Sequence, residues 1–308
     1  MSATYAPIAY FAFNRPEHVA RTLAALGANP EAADSELHAF VDGPRNDDDR
    51  SLVEEVRRIV RAARGFGRVE LHFAETNRGL YRSITEGVSA MVGARGRIIV
   101  VEDDVEVAPF FLAYMNAALD RYESAAAVGS IHAYCPPLAG LPDYFFLRGS
   151  NCWGWATWAD RWALFRSDAN ALLQELAERR LIDAFCERQG SQSLLLLERR
   201  AKGRNQSWAI LWHASLFLAD RYTLHPGLSI VTNIGFDGSG THASNSAWAT
   251  TIVATRYNGL PEIPVGEDLH AAAAWSAYLD TAAIHGRRWL IPALRIYARL
   301  ALRLPFLL

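Results

Sequence analysis

Lysine is almost missing from this chain of 308 residues: Lys202 is the only one, and every other basic residue except histidine is arginine. Acidic and basic side chains nearly balance, 33 against 31, for a formal net charge of −2. Without a basic excess the chain lacks the field that phosphate-tracking proteins rely on, which argues against a nucleic-acid partner. Cysteine is scarce too. Cys135, Cys152 and Cys186 are odd in number and have neither metal-ligand nor redox spacing, which excludes a disulfide framework and fits a reducing compartment. No run of about 18 apolar residues marks a membrane span. Met1-Ser2-Ala3-Thr4 has neither the basic start nor the apolar core of a secretory signal, so the cytoplasm is the expected location. Two phosphate-binding signatures are also missing. No Gly-x-Gly-x-x-Gly follows the first predicted strand, and no Gly-Lys-Ser/Thr occurs.

What is present is a 51% hydrophobic composition arranged in alternating periods. Ile8–Phe13, Leu37–Val41, Val69–Phe73 and Ile98–Val101 read as strands. Between them, Val19, Leu23 and Leu26, then Leu52, Val53, Val56, Ile59, Val60 and Ala63, then Leu80, Ile84, Val88 and Met91 recur at helical spacing. Asp47-Asp48-Asp49 fits a helix N-terminus, where negative charge is favoured. This order predicts an α/β fold, a mostly parallel sheet flanked by helices.

In such sheets ligands bind outside the carboxyl ends of the strands. Three predicted strands end in polar turns: Asn14-Arg15-Pro16, Asp42-Gly43-Pro44 and Glu102-Asp103-Asp104. Arg15, Asp42 and the acidic triplet therefore converge on one rim. Massed carboxylates call for a compensating cation, and an arginine beside them suits a phosphate. Pro109 suits the first turn of a helix running directly on from the triplet strand.

From about residue 132 the pattern becomes irregular and aromatic. Trp153 and Trp155 flank Gly154 and read as a loop lining a sugar pocket, whereas Trp158 and Trp162, at helical spacing, read as core. Ile230–His242 reads as a strand followed by a glycine-rich loop able to approach a ligand closely, with His242 a candidate for a metal shell or a phosphate.

With the strands, the triplet, the tryptophan segment and the glycine loop in this order, residues 7–243 resemble the GT-A class of nucleotide-sugar glycosyltransferases. The chain looks most like bacterial family-2-type sugar transferases and, more distantly, is similar to the Golgi N-acetylglucosaminyltransferase that initiates complex N-glycans. Val101–Pro109 with Phe110-Phe111 is the most specific segment. The resemblance implies that Asp104 ligates Mn2+ or Mg2+, that Asp103 lies by the ribose, and that Glu102 lies by the donor sugar hydroxyls. It puts Arg15 on the phosphate side of the nucleotide, Asp42 at the base edge and Arg78 in a segment bordering the nucleotide. Ser239 and His242 fall on a loop that closes over the diphosphate. The expected donor is a nucleoside-diphosphate sugar, UDP-linked as a first guess, and the acceptor a glycan or a lipid-linked glycan. In the Golgi enzyme an Asp-Asp-Trp segment supplies the general base. The matching Asn205-Gln206-Ser207-Trp208 has no carboxylate, which leaves Asp237 and Asp160 as candidates.

The expected organisation is a glycosyltransferase domain over 1–270, divided near 131 into nucleotide and acceptor halves, then a helical tail over 271–308. Within 285–308, five arginines and many leucines form a basic amphipathic pattern suited to an anionic membrane surface, giving a possible peripheral inner-membrane location. Two other readings stay open: a nucleotide-sugar-binding protein without turnover, and a nucleotidyltransferase.

Overall fold

The computed structural model describes residues 5–238 and 253–283. The first part alternates as predicted: β1 (Ile8–Ala12), α1 (Pro16–Gly27), β2 (Glu36–Val41), α2 (Asp47–Arg61), β3 (Arg68–Phe73), α3 (Leu80–Arg95) and β4 (Arg97–Glu102). Next come β5 (Val105–Val107), α4 (Phe111–Tyr122), β6 (Val128–His132), β7 (Tyr144–Arg148), β8 (Trp155–Trp158) and α5 (Ala159–Trp162). Then follow α6 (Ala169–Glu178), α7 (Ile182–Gln189), α8 (Ser191–Ala201), α9 (Ala209–Leu218), β9 (Tyr222–Pro226), β10 (Val231–Asn233) and α10 (Leu269–Ala283).

The main sheet has the order β3-β2-β1-β4-β8-β6-β9-β7. Its first four strands are mutually parallel, as are β6 and β9, whereas β8 runs antiparallel to both neighbours and β7 antiparallel to β9. The architecture is thus the expected mostly parallel α/β sheet flanked by helices, with an additional C-terminal helix. The aromatic half is more regular than its sequence pattern. Trp155–Trp158 is buried on both faces, and a strand buried on both faces loses the alternation that would reveal it.

Helix α2 has the three predicted aspartates in its first turn, and Asn46 caps it by accepting from the backbone N–H of Asp49. Its Val53, Val56 and Val60 pack with Leu37, Ala39 and Val41 of β2, while Leu52 faces solvent. On the other face, Ile84, Val88 and Met91 of α3 cover Ala9, Phe11, Ile98 and Val100. Gly87 has no room for a side chain, because a Cβ there would lie 2.8 Å from the Phe11 ring.

Two differences from the sequence pattern bear on the site. The chain does not pass from β4 straight into a helix. It makes a second short strand, β5, paired antiparallel with β10, so residues far along the chain are drawn onto the triplet. The expected division at 270–271 falls inside α10, whose Ala271, Ala272 and Trp275 are buried in the main core.

Candidate functional site

Glu102 is the last residue of β4, and Asp103 and Asp104 form the turn into β5. Asp103 is buried and bonded on several sides. Its carboxylate accepts from the guanidinium of Arg15 and, at 3.4 Å, from the backbone N–H of Phe13, and its carbonyl accepts from Thr22 Oγ1 at 2.8 Å. The same Arg15 nitrogen lies 3.0 Å from Asp104 Oδ2. Arg15 precedes the first turn of α1, so the β1–α1 corner delivers the cation to the acids of β4.

One guanidinium does not balance three carboxylates. Burial, with Asp104 and Asp103 beside it, pushes the Glu102 carboxyl well above its ordinary range. Burial also raises Asp103, although Arg15 opposes the shift. A site with this surplus favours a further cation, and an all-oxygen donor set fits Mg2+ or Mn2+. The Asp104 side chain keeps 20% of its surface exposed, whereas Asp103 is buried, so Asp104 is better placed than Asp103 to take one.

The segment after β10 lies over the triplet. The backbone N–H of Ile234 donates to the Asp104 carbonyl at 2.7 Å. A Cβ on Gly235 would fall 2.5 Å from Asp104 Oδ2 and 3.1 Å from Arg15 Nη1. His18 of α1 meets the Ile234 carbonyl at 3.1 Å and Asp237 Oδ2 at 3.3 Å. Asp237 therefore stands on the same rim as Asp104 and Arg15, half-exposed. Trp153 is joined to this rim through an edge-to-face contact with Phe236, ring centroids 5.7 Å apart.

Three expected placements need correction. Asp42 is not an open acceptor at the rim. Its Oδ1 takes the N–H groups of Gly43 and Arg78 at 2.8 Å each, and its Oδ2 takes Asn77 Nδ2 at 3.0 Å and the Gly79 N–H at 2.9 Å. It ties the 77–79 loop to the end of β2. Trp155 does not line a sugar pocket. It is fully buried among Trp162, Trp208 and Trp212, as the pattern on a two-sided strand requires. Asp160 follows β8, whose Trp158 is paired with Arg97, so it emerges at the opposite end of the sheet from the triplet and forms an ion pair with Arg161. Arg78 has its backbone on Asp42 and its guanidinium paired with Glu86. Ser239 and His242 lie outside the described residues, as does the 285–308 segment.

A hollow of about 600 Å³, without a sequence signature of its own, lies beside the 77–79 loop, lined among others by Arg78, Tyr81, Arg82, Arg200 and Gln206. Gln206, in the segment that lacks a carboxylate, is close enough that a Cβ on Gly79 would lie 3.5 Å from its Oε1. The signal for this hollow is three-dimensional, because α3 and the end of α8 supply most of its arginines.

Residues 8–144 match the family model "Glycosyl transferase family 2". That segment holds β1 to β6, the Arg15 corner and the whole acidic triplet. No curated protein matches the chain. Among solved structures, a mannosyltransferase from Pyrobaculum calidifontis, in complex with GDP-Man and Mn2+, is similar over 44% of this chain and 37% of its own length, at 16% identity and a TM-score of 0.32. The chain thus spans well under half the length of that protein.

Proposed function

We propose that the chain is a metal-dependent glycosyltransferase that moves a sugar from a nucleoside-diphosphate sugar to a glycan or lipid-linked acceptor, with inversion, in bacterial surface polysaccharide synthesis. The observation that carries this reading is the acidic triplet at the carboxyl end of β4, bridged by Arg15 and overlaid by the 234–237 segment. The family match over residues 8–144 supports it.

Mn2+ or Mg2+ would be held by Asp104, with His242 the expected second ligand, and would neutralise charge developing on the departing diphosphate. Arg15 orients Asp104 in the free protein and offers its guanidinium to the phosphates of a bound donor. Asp42 acts by positioning, fixing the backbone of Arg78 and Gly79 at the nucleotide side. Trp153 and Phe236 brace the overlying segment and exclude water from one flank. Asp237 is the carboxylate left on the rim to accept the proton of the acceptor hydroxyl, with His18 beside it.

One observation favours a second reading, donor binding without turnover: Gln206 stands beside the 77–79 loop in the segment where the resemblance expects a base. Thermal shift and nucleotide-sugar hydrolysis, measured with UDP- and GDP-sugars with and without Mn2+, separate the two. A Mn2+-dependent shift with nucleoside diphosphate release, both lost in Asp104→Ala, is expected for the transferase. A shift without release, even with acceptors present, supports the binding protein. No shift with any nucleotide overturns both.

A further inference from the structure

Among the described residues, one group of histidine, cysteine, aspartate or glutamate side chains brings ligand atoms to metal-ligand spacing, and it is not the acidic triplet. It consists of His38 on β2 with Glu70 and His72 on the edge strand β3. His38 pairs in register with Ala9, whereas Glu102 pairs with Phe11 two residues further along β1. The group is therefore two to three strands across from the triplet, with His72 level with Glu102 and His38 and Glu70 two residues further back, on the order of 10 Å or more away.

We propose that His38, Glu70 and His72 bind a transition-metal ion of the zinc class that clips the edge strand to β2. Two histidines and a glutamate are a zinc donor set. Zinc–ligand bonds of about 2.0–2.1 Å at tetrahedral angles place ligand atoms about 3.3–3.4 Å apart. His38 Nδ1 lies 3.3 Å from His72 Nε2 and 3.4 Å from Glu70 Oε2, and all three atoms fall within 4.8 Å of one another.

The surroundings match those of a ligating histidine. His38 is 3% exposed, and its other nitrogen, Nε2, lies 3.3 Å from Glu36 Oε2. Glu36 is anchored in turn by Arg95 at 2.5 Å. A carboxylate on the far nitrogen fixes the tautomer and turns the bare nitrogen towards the ion. That bare nitrogen faces a carboxylate oxygen, and a cation reconciles two such acceptors. His72 is oriented independently by stacking on Phe40, ring centroids 4.4 Å apart. The edge strand itself has no buried residue over Arg68–Phe73, so a cross-strand clip adds what packing does not supply.

The test is a Co2+ titration of chelator-stripped full-length protein carrying Asp104→Asn, which disables the triplet and keeps this result separate from the glycosyltransferase reading. One equivalent of Co2+ is expected to develop the visible d–d absorption of a four-coordinate ion, to be displaced by Zn2+, and to raise Tm. His72→Phe, which preserves the stack on Phe40, is expected to abolish the spectrum. Glu36→Gln should weaken binding by about 10- to 100-fold. Absence of the spectrum in the parent protein overturns the proposal and assigns the contacts to a proton on His38. So does a spectrum that persists in His72→Phe.

Discussion

Arg15 Nη2 lies 3.0 Å from Asp104 Oδ2 while also bonding Asp103, so a single guanidinium serves two of three consecutive acids. Its removal leaves those acids facing one another in a half-buried rim. Arg15→Ala is expected to destabilise the protein by about 2–3 kcal/mol, below the figure for a fully buried pair because both side chains are about one-fifth exposed. Mn2+ should recover more of that loss in the variant than it adds to the wild type, since it supplies the missing charge. Denaturant unfolding with and without Mn2+ checks both statements. An unchanged midpoint in Arg15→Ala would show that the pair contributes nothing.

Asp42 has four hydrogen bonds to groups of the chain itself, three of them from backbone N–H groups. Asp42→Asn keeps the volume but turns one acceptor into a donor facing donors. The expected cost is about 1–3 kcal/mol, with faster amide exchange at Arg78 and Gly79 while the core strands stay protected. Equal loss of protection across β1, β2 and β4 would place the effect in global stability and remove the local role.

The two tryptophans around Gly154 should separate cleanly. Trp155 is fully buried in the four-tryptophan cluster, so Trp155→Ala is expected to cost about 3–5 kcal/mol and to lower the yield of folded protein. Trp153 touches Phe236 and Tyr134 from a half-buried position. Trp153→Ala should leave stability within about 2 kcal/mol of wild type and raise the donor KM several-fold. Equal stability losses in the two variants would contradict the assignment.

That contrast also shows what could be read without coordinates. The parallel half was legible because β1, β2 and β4 are apolar runs punctuated by Asn14, Asp42 and Glu102, and because α2 declares itself through three aspartates in its first turn. The convergence of Arg15 on the triplet followed from parallel topology alone. The second half was opaque because β8 is buried on both faces and carries no period, so Trp155 resembled a loop residue. Asp42 misled for a different reason. A carboxylate at a strand end looks the same whether it faces a ligand or its own chain, and only the fold of Asn77–Gly79 decides. The His38, Glu70 and His72 group escaped notice because its spacing spans two strands and becomes visible only in register.

Stability should peak near neutral pH, through two opposing sets of buried groups. Burial holds His213 at about 4 and His225 at about 3, and pushes His132 well below 6.5. Between those values and 6.5 the unfolded chain binds more protons than the folded one, so stability falls as pH falls below about 6.5, by about 3 kcal/mol at pH 4 for His213 alone. Glu102, raised to about 8, works in the other sense. The folded chain keeps its proton and the unfolded chain does not, so stability of metal-free protein falls as pH rises from about 4.5 towards 8. Asp103, raised to about 6, adds to this at lower pH, where the three histidines outnumber the two acids. Unfolding of metal-free protein from pH 4.5 to 8.5 should give a maximum near 6.5. Glu102→Gln should flatten the alkaline limb, on the order of 1 kcal/mol, and leave the acid limb in place. An alkaline limb unchanged by that substitution would locate it elsewhere.

Gly235 offers the most selective probe of the rim. It needs no unusual backbone angle, so alanine there strains nothing intrinsically, yet its Cβ would fall 2.5 Å from Asp104 Oδ2 and 3.0 Å from Asp104 Cβ. The aspartate must swing away, taking with it the contact to Arg15. Asp104 Oδ2 and the Arg15 guanidinium are side-chain ends that can move aside, whereas Asp104 Cβ is held by its backbone, so the fold should survive with a loss of about 1–3 kcal/mol. Mn2+-dependent donor binding should weaken by about 10- to 100-fold, the scale reported by disturbed metal-ligand orientation. Calorimetric titration of UDP- and GDP-sugars into Gly235→Ala, with and without Mn2+, reads this directly. Unchanged Mn2+-dependent affinity would mean that Asp104 does not hold the ion, leaving Glu102 as the other partly exposed acid of the triplet able to do so.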